Sequence, residues 1–259
     1  MNIRRFLTRI LVSQIYFKVK LYDVEVKVSP YEVWFWAWVD TGTWEKWELE
    51  TIDKILDRNV TFIDIGAHAG AFTLMGAKKA KQVVAVEPDS AAVLALISNL
   101  RLNNLESNVT ILQAALLSKN GFTDKVTLNQ SGDGTSRYSN SIDVSQPDKL
   151  TPGAVQSLST SDFFQEFYSH PKVVIKMDIE GSEWALLKEA KEFISKFKPS
   201  FLIAFHLQDV NFNPLERIKD AFADYSFFSN SSRQNCPVSC ISLEDLSQSD
   251  ILFHMELLK

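Results

Sequence analysis

The sequence predicts an α/β fold, a mostly parallel sheet with helices on both faces and an N-terminal cap region. Three observations carry this. Apolar runs alternate with amphipathic stretches through the central part of the chain, the pattern of strand–helix–strand units. The runs Val173-Val174-Ile175 and Phe201-Leu202-Ile203-Ala204-Phe205 are apolar at successive positions, as in strands buried on both faces. Thr61 to Gly70, followed by Val83 to Glu87, reads as a strand, a glycine turn, a helix and a second strand ending in a carboxylate, half of a nucleotide-binding βαβ unit.

Each element follows in order. Met1 to Val12 carries arginines at 4, 5 and 9 among apolar residues, and is expected as a first helix packed on the domain with its basic face in water. It has the arginines of a signal peptide, but Arg9, Ser13 and Gln14 interrupt the apolar run and no small-residue cleavage site follows. The same amphipathic pattern suits a weak peripheral membrane contact through residues 1–20. Val24, Val26 and Val28 alternate with charged residues, as in a half-buried strand, and Trp34, Trp36 and Trp38 alternate in the same way. Residues 45–57 read as a helix with Trp47, Ile52, Ile55 and Leu56 apolar. Strands are expected at 60–65, 82–86, 109–113, 172–179 and 200–206, and helices at 70–80, 89–103, 182–196 and 213–223. Asn213-Pro214 supplies an N-cap and first helical residue for the last of these. Asp224 to Phe228 and Ile251 to Glu256 are expected to add a terminal hairpin, and the Ser/Gly/Pro-rich stretch 129–161 to form a loop over the site. The domain reading is therefore a cap over 1–58 and the main domain over 59–259.

Composition narrows the class. The chain has 259 residues, 46% of them hydrophobic, enough for a large buried core. With 27 basic and 32 acidic residues the net charge is −5, which argues against a nucleic-acid-wrapping surface. The two cysteines, Cys236 and Cys240, are too few for a disulfide framework or a zinc site and fit a reducing, cytoplasmic compartment. No segment has the length of a transmembrane helix.

The glycine turn selects the ligand. A dinucleotide fingerprint places glycines at its first, third and sixth positions, so that backbone approaches a pyrophosphate. Counted from Gly66, the third and sixth positions are His68 and Ala71. A phosphate-free nucleoside does not need that approach, and S-adenosylmethionine is one. Glu87, 21 positions after Gly66, stands where an acid accepts ribose hydroxyls. Ligands of open α/β sheets bind beyond the carboxyl ends of the strands. This chain puts Asp64, Gly66, Ala67, His68 and Gly70 after the first strand, Glu87 after the second, Gln113 and Ala115 after the third, Lys176, Asp178 and Glu180 after the fourth and His206 after the fifth. Asp64 is expected to anchor the amino group of the cofactor, and Gln113 and Ala115 to line the adenine pocket. Asp178 is expected against substrate or sulfonium. His206, Asp178 and Glu180 are the candidates for a general base. No cluster in the sequence demands a metal. The five tryptophans between 34 and 47 suit cap packing or an aromatic wall for an acceptor.

Several motifs stand in a recognisable order: Asp64 to Gly70, Val86-Glu87-Pro88, Asn99 with Asn103-Asn104, Gly132-Asp133-Gly134-Thr135, and Ile175 to Glu183. In this the chain resembles FkbM-family methyltransferases over roughly residues 40–206. Trp44-Glu45 resembles the aromatic–Glu pair ahead of the first motif, and Leu158 to Asp162 the segment before the fourth strand. Lys176-x-Asp178-x-Glu180-Gly181-x-Glu183 is the most specific part. The resemblance implies a Rossmann-like class I methyltransferase fold with S-adenosylmethionine as donor. It further implies methylation of a hydroxyl on a sugar or secondary metabolite, so the expected partner is a small-molecule or glycan acceptor and not nucleic acid. His68 stands where the family often has Asn. Residues 135–158 and the last fifty or so match poorly and are expected to select the acceptor. Two other readings remain at this stage: an inactive cofactor-binding scaffold, and a methyltransferase acting on protein or nucleic acid.

Overall fold

The computed structural model describes residues 16–118, 121–123, 125–126, 142–143, 155–207, 211–248, 250–256 and 258. The expected N-terminal helix, the Gly132 to Thr135 motif and most of the 129–161 segment lie outside the described residues.

The cap opens with an antiparallel hairpin of β1 (Phe17–Leu21) and β2 (Val24–Val28), whose Val19, Leu21, Val26 and Val28 face inward. Helices α1 (Val33–Asp40) and α2 (Lys46–Ile55) follow. The alternation read for Trp34, Trp36 and Trp38 is not a strand. Phe35, Trp36 and Val39 are the buried positions, a helical face, while Trp34 is exposed. The segment is apolar all round, so the tryptophan spacing carried no period of its own.

The core runs β3 (Thr61–Ile65), α3 (Ala71–Lys79), β4 (Gln82–Val86), α4 (Ser90–Asn103) and β5 (Val109–Leu112). Short strands β6 (Ala115–Leu117), β7 (Gly121–Thr123), β8 (Lys125–Val126) and β9 (Ile142–Asp143) come next, then β10 (Val155–Ser159) and α5 (Thr160–Gln165). The last two correct the loop expected across 129–161. Its serines hid the strand: Ser157 and Ser159 are buried where β10 pairs with β6, and the Ser159 hydroxyl accepts the Asp162 N–H to cap α5.

The chain continues through β11 (Val173–Met177), α6 (Glu183–Glu189), α7 (Lys191–Phe197), β12 (Ser200–Ile203) and α8 (Pro214–Ala221). It closes with β13 (Phe227–Ser229), β14 (Cys236–Pro237), α9 (Leu243–Gln248) and β15 (Ile251–His254). The helix expected at 182–196 is divided at Ala190, whose ψ of −2° departs from the ideal helical value of about −42°. Both β11 and β12 stop before the polar residues expected on them, so Asp178, Glu180 and His206 sit on loops.

The large sheet has the order β14-β13-β15-β12-β11-β3-β4-β5. The five strands from β12 to β5 are parallel, and β15 runs antiparallel between β12 and β13, which realises the terminal hairpin. Alternate residues serve the two faces. Ile63, Ile65, Ile175, Met177 and Ile203 pack with α5 to α8, whereas Phe62, Val174 and Leu202 pack with the cap, α3 and α4. Burial on both faces is what the apolar runs required. Asn99 ties the layers on the second face: its amide donates to the Ala69 carbonyl and its oxygen accepts the Ser29 N–H of the cap.

Candidate active site

The turn from β3 into α3 is shaped by packing. Gly66 has φ +83°, and a Cβ there would collide with the carbonyl oxygen of Asp178. Gly70 has φ +96° and a Cβ would strike Leu96 of α4. Their glycine character thus comes from chain crossings, and Gly70 is not on the cavity wall. Asp64, buried at the end of β3, accepts the Thr73 hydroxyl at 2.6 Å, while its other oxygen makes no hydrogen bond. It too lies off the cavity wall, and through Thr73 it holds the first turn of α3. Burial raises its pKa, against the pull of Lys176.

His68 is left-handed at φ +48° and is claimed by the cap. Its Nε2 lies 3.0 Å from Glu32, and its ring meets Phe35 edge-on at 5.0 Å. Its backbone N–H donates to Glu87 Oε2 at 2.8 Å, and the Asp89 N–H donates to Glu87 Oε1 at 2.8 Å. Glu87 is therefore buried with each oxygen held by one backbone donor, leaving a lone pair on each for a ligand. Burial raises its pKa and the two amides oppose that. Ala115 lines the cavity with Leu116 and Ala114; Gln113 is exposed and does not, because the chain after β5 turns it to solvent.

The end of β11 is crowded with charge. Register places Lys176 beside Asp64 on the cap side of the sheet. Its Nζ donates to Asp178 Oδ2 at 3.2 Å, lies 3.7 Å from Glu45 Oε2 and stands 4.8 Å from the Phe72 ring centroid. Burial works against the ammonium, but Asp178, Glu45, Asp250 and Asp64 together raise its pKa. The surplus of acids is evident in Asp250, which burial pushes up to about 7.

Glu183, at the start of α6, is fully buried and holds the loop before it. It accepts the N–H groups of Ile179 and Gly181 and lies 3.0 Å from His206 Nδ1. Sequence reasoning placed it only as the last residue of the Lys176-x-Asp178-x-Glu180-Gly181-x-Glu183 motif; the signal for a role was its place three after Glu180 on a loop needing a partner for its amides. His206 Nε2 lies 3.2 Å from Glu180 and 4.0 Å from Asp178. The Glu183 hydrogen bond, against burial and with the charges of Asp178 and Glu180, raises the His206 pKa to about 9. This changes the expectation for His206. A general base must arrive deprotonated, and among three carboxylates this imidazole is a cation at neutral pH. Asp178, Glu183 and His206 also bring ligand-capable atoms within 4.8 Å of one another. Glu183 is already engaged by two amides and the imidazole, so a divalent cation would compete with them.

Glu87 and the β11 cluster open onto one cavity of about 220 Å³. Glu45, Glu87, Asp178 and Glu180 line it, and Lys176 is the single Lys or Arg among its described lining residues. Phe35, Trp44 and Phe72 add an aromatic wall, with Trp44 4.9 Å from Phe35 and 5.6 Å from Phe72. His206 is not on the wall but touches two residues that are.

The sheet and this strand-end cavity define a Rossmann-like class I methyltransferase fold. The family model described as the methyltransferase FkbM domain matches residues 64–234, and the chain belongs to that family. Among solved structures it is similar to methyltransferase FkbM from Methylobacillus flagellatus, at 20% identity and TM-score 0.47, covering 75% of this chain and 43% of that one. The chain thus spans less than half the length of that relative. It is similar to M. jannaschii TYW2 in complex with AdoMet, at 16% identity and TM-score 0.45, covering 93% of this chain and 87% of that one. It is also similar to precorrin 8W decarboxylase from Methanobacterium thermoautotrophicum, at 14% identity and TM-score 0.43, covering 81% and 88%. A search of curated proteins found no match. S-adenosylmethionine is the cofactor, and the residues present fit it: an acid with free lone pairs, a close-running turn and an acidic wall for a cation. Among the described residues no helix is long and apolar enough to cross a membrane.

Proposed function

We propose that this chain methylates a hydroxyl oxygen on a sugar or secondary metabolite. The observation that supports this best is the charge of the cavity, four carboxylates against one lysine. A phosphate-bearing nucleotide meets repulsion there, whereas a sulfonium is attracted. S-adenosylmethionine, when bound, supplies the electrophilic methyl group. Glu87 accepts the two ribose hydroxyls with its remaining lone pairs. Ala115, Leu116 and Val86 give an apolar wall for the purine. Asp64 acts one layer below, keeping α3 and its turn in place through Thr73.

At the β11 end, Asp178 and Glu180 favour the sulfonium electrostatically, with Lys176 and protonated His206 fixing their positions. An alcohol must lose its proton as its oxygen is methylated, and a carboxylate at this end receives it. Trp44, Phe35 and Phe72 suit the apolar face of a sugar ring. Holding the reactants in line removes orientational freedom worth roughly 7–11 kcal/mol of barrier. A reducing cytoplasmic setting suits Cys236 and Cys240, both free thiols. At the end of the 1–20 segment proposed for peripheral membrane contact, Tyr16 and Phe17 are exposed.

Calorimetry and labelled transfer test the reading. Wild type should bind S-adenosylmethionine and pass labelled methyl to small molecules or glycans of a cell extract. Glu87→Ala should weaken binding about 100-fold, the loss of hydrogen bonds to a charged acceptor. Unchanged affinity removes the ribose assignment. Binding without any transfer favours a cofactor-binding scaffold.

A further inference from the structure

Glu32 reaches the cofactor turn from the cap. It stands at the N-terminus of α1, and its side chain does not cap that helix. Its Oε2 instead lies 3.0 Å from His68 Nε2, with 21% of the Glu32 side chain and 22% of the His68 side chain exposed. The His68 ring also meets Phe35 edge-on at 5.0 Å and Tyr31 at 6.2 Å, both from the same cap segment. A contact between solvent-exposed side chains contributes little, but this one is mostly withdrawn from water. Glu32 lies outside the stretch matched by the family model, residues 64–234.

His68 differs from its neighbours in where its amide goes. The Gly66 and Ala67 N–H groups donate to the Val86 carbonyl, and the Gly70 N–H to the Ala67 carbonyl, so main chain fixes these parts of the turn. The His68 N–H donates to a side chain, Glu87 Oε2, at 2.8 Å. It does so from a left-handed backbone, which a residue with a Cβ keeps only where its surroundings hold it. The other Glu87 oxygen accepts the Asp89 N–H of its own loop. Half of the carboxylate is thus set locally. The other half is set by a residue whose side chain the cap grips.

We propose that Glu32 is a positioning residue for cofactor binding, a role that rests on reading Glu87 as the acceptor of the ribose hydroxyls. Glu32 holds the His68 imidazole. The held side chain keeps the His68 backbone left-handed, and the His68 N–H then fixes Glu87 Oε2 with its remaining lone pair open to the ribose. Glu32 is not among the described residues of the cavity wall, so it acts through His68, which is. The effect is specific. Glu32 governs affinity for the ribose part of S-adenosylmethionine and leaves the rest of the donor site unchanged.

The test measures binding by calorimetry for two ligands, S-adenosylmethionine and its analogue lacking both ribose hydroxyls. The proteins are wild type, Glu32→Ala, Glu87→Ala and the double variant. Glu32→Ala should bind S-adenosylmethionine about tenfold more weakly, within the range for residues of one network, and the analogue within about twofold of wild type. In the Glu87→Ala background the Glu32 change should add nothing. Glu32→Gln, which keeps the side chain's length and one carbonyl oxygen, should lose only about threefold, again for S-adenosylmethionine and not for the analogue. Equal losses for both ligands, or losses that add in the double variant, make Glu32 a support of the fold and overturn the proposal. Unchanged affinity overturns it as well. If Glu32→Ala fails to fold, Glu32→Gln decides by the same comparison of ligands. Wild type that binds both ligands equally removes the ribose assignment of Glu87 and this role with it. Labelled methyl transfer by wild type reports separately on the reading as a hydroxyl methyltransferase.

Discussion

Glu87 and Glu45 are carboxylates on the wall of one cavity, on opposite flanks of β3 and held by elements of different origin. Glu87 closes β4, and backbone amides of its own loop and of the neighbouring turn fix both its oxygens. Glu45 comes from the cap, and its Oε2 accepts nothing. β4 and β11, the strands below these two regions, flank β3 and so stand roughly 9.5 Å apart. The difference teaches how one acidic surface comes to hold two kinds of carboxylate. A carboxylate whose geometry is set by amides is a fixed acceptor that binds. A carboxylate buried in a crowd of like charge, with one lysine opposing, holds its proton more tightly. Satisfaction of hydrogen bonds, more than residue type, separates the two ends.

The comparison can be broken at the point where the ends meet. Gly66→Ala puts a Cβ into the Asp178 carbonyl at a left-handed position, so it disturbs the turn beside Glu87 and the β11 loop at once. Stability in urea should fall by about 3 kcal/mol, with cofactor binding weakened as well. A loss under about 0.5 kcal/mol would show that the two loops are not wedged together.

Glu183→Gln acts on the β11 end alone. One acceptor oxygen is replaced by a donor beneath the Ile179 and Gly181 amides, at a cost of about 1–3 kcal/mol. The His206 pKa, read by NMR of the imidazole, should drop from about 9 toward its ordinary value, because its largest stabilising contact is gone. Cofactor affinity should change little. An unmoved imidazole titration would mean that Asp178 and Glu180, not Glu183, hold the charge.

The smallest effect sharpens the contrast through pH. The folded His206 binds its proton more tightly than the unfolded chain does, so its contribution is complete below about pH 6.5 and is lost as pH rises through about 9. Asp250, raised to about 7, acts at lower pH: the fold favours its neutral form, so stability falls as it ionises between roughly 4 and 7. Thermal midpoints should therefore decline from pH 4 to 9. His206→Asn should flatten the upper part of that decline and Asp250→Asn the lower. A flat wild-type profile would contradict the charge crowding described for the β11 end.

The sequence made the Glu87 end legible because its parts are neighbours in the chain: strand, glycine turn, helix, strand and acid. The β11 end was legible only in outline. Lys176, Asp178, Glu180 and Glu183 were visible as a motif, but what surrounds Lys176 comes from far away. Glu45 and Glu48 arrive with α2, and Asp250 arrives because β15 inserts beside β12. No local period encodes that convergence. His206 was placed at the right strand end, yet its protonation depends on Glu183 across 23 residues. The Trp34 to Trp38 segment misled because every side of it is apolar, and Gln113 because one residue of register decides between wall and solvent.

Asn99 has a final consequence. A single amide, wholly enclosed, is bonded on one side to the segment that carries the donor's turn and on the other to the chain leading into the cap. The two parts therefore share their loss of freedom: ordering one prepays part of the ordering of the other. By thermodynamic reciprocity, the factor by which donor binding tightens the seating of the cap equals the factor by which a seated cap tightens donor binding.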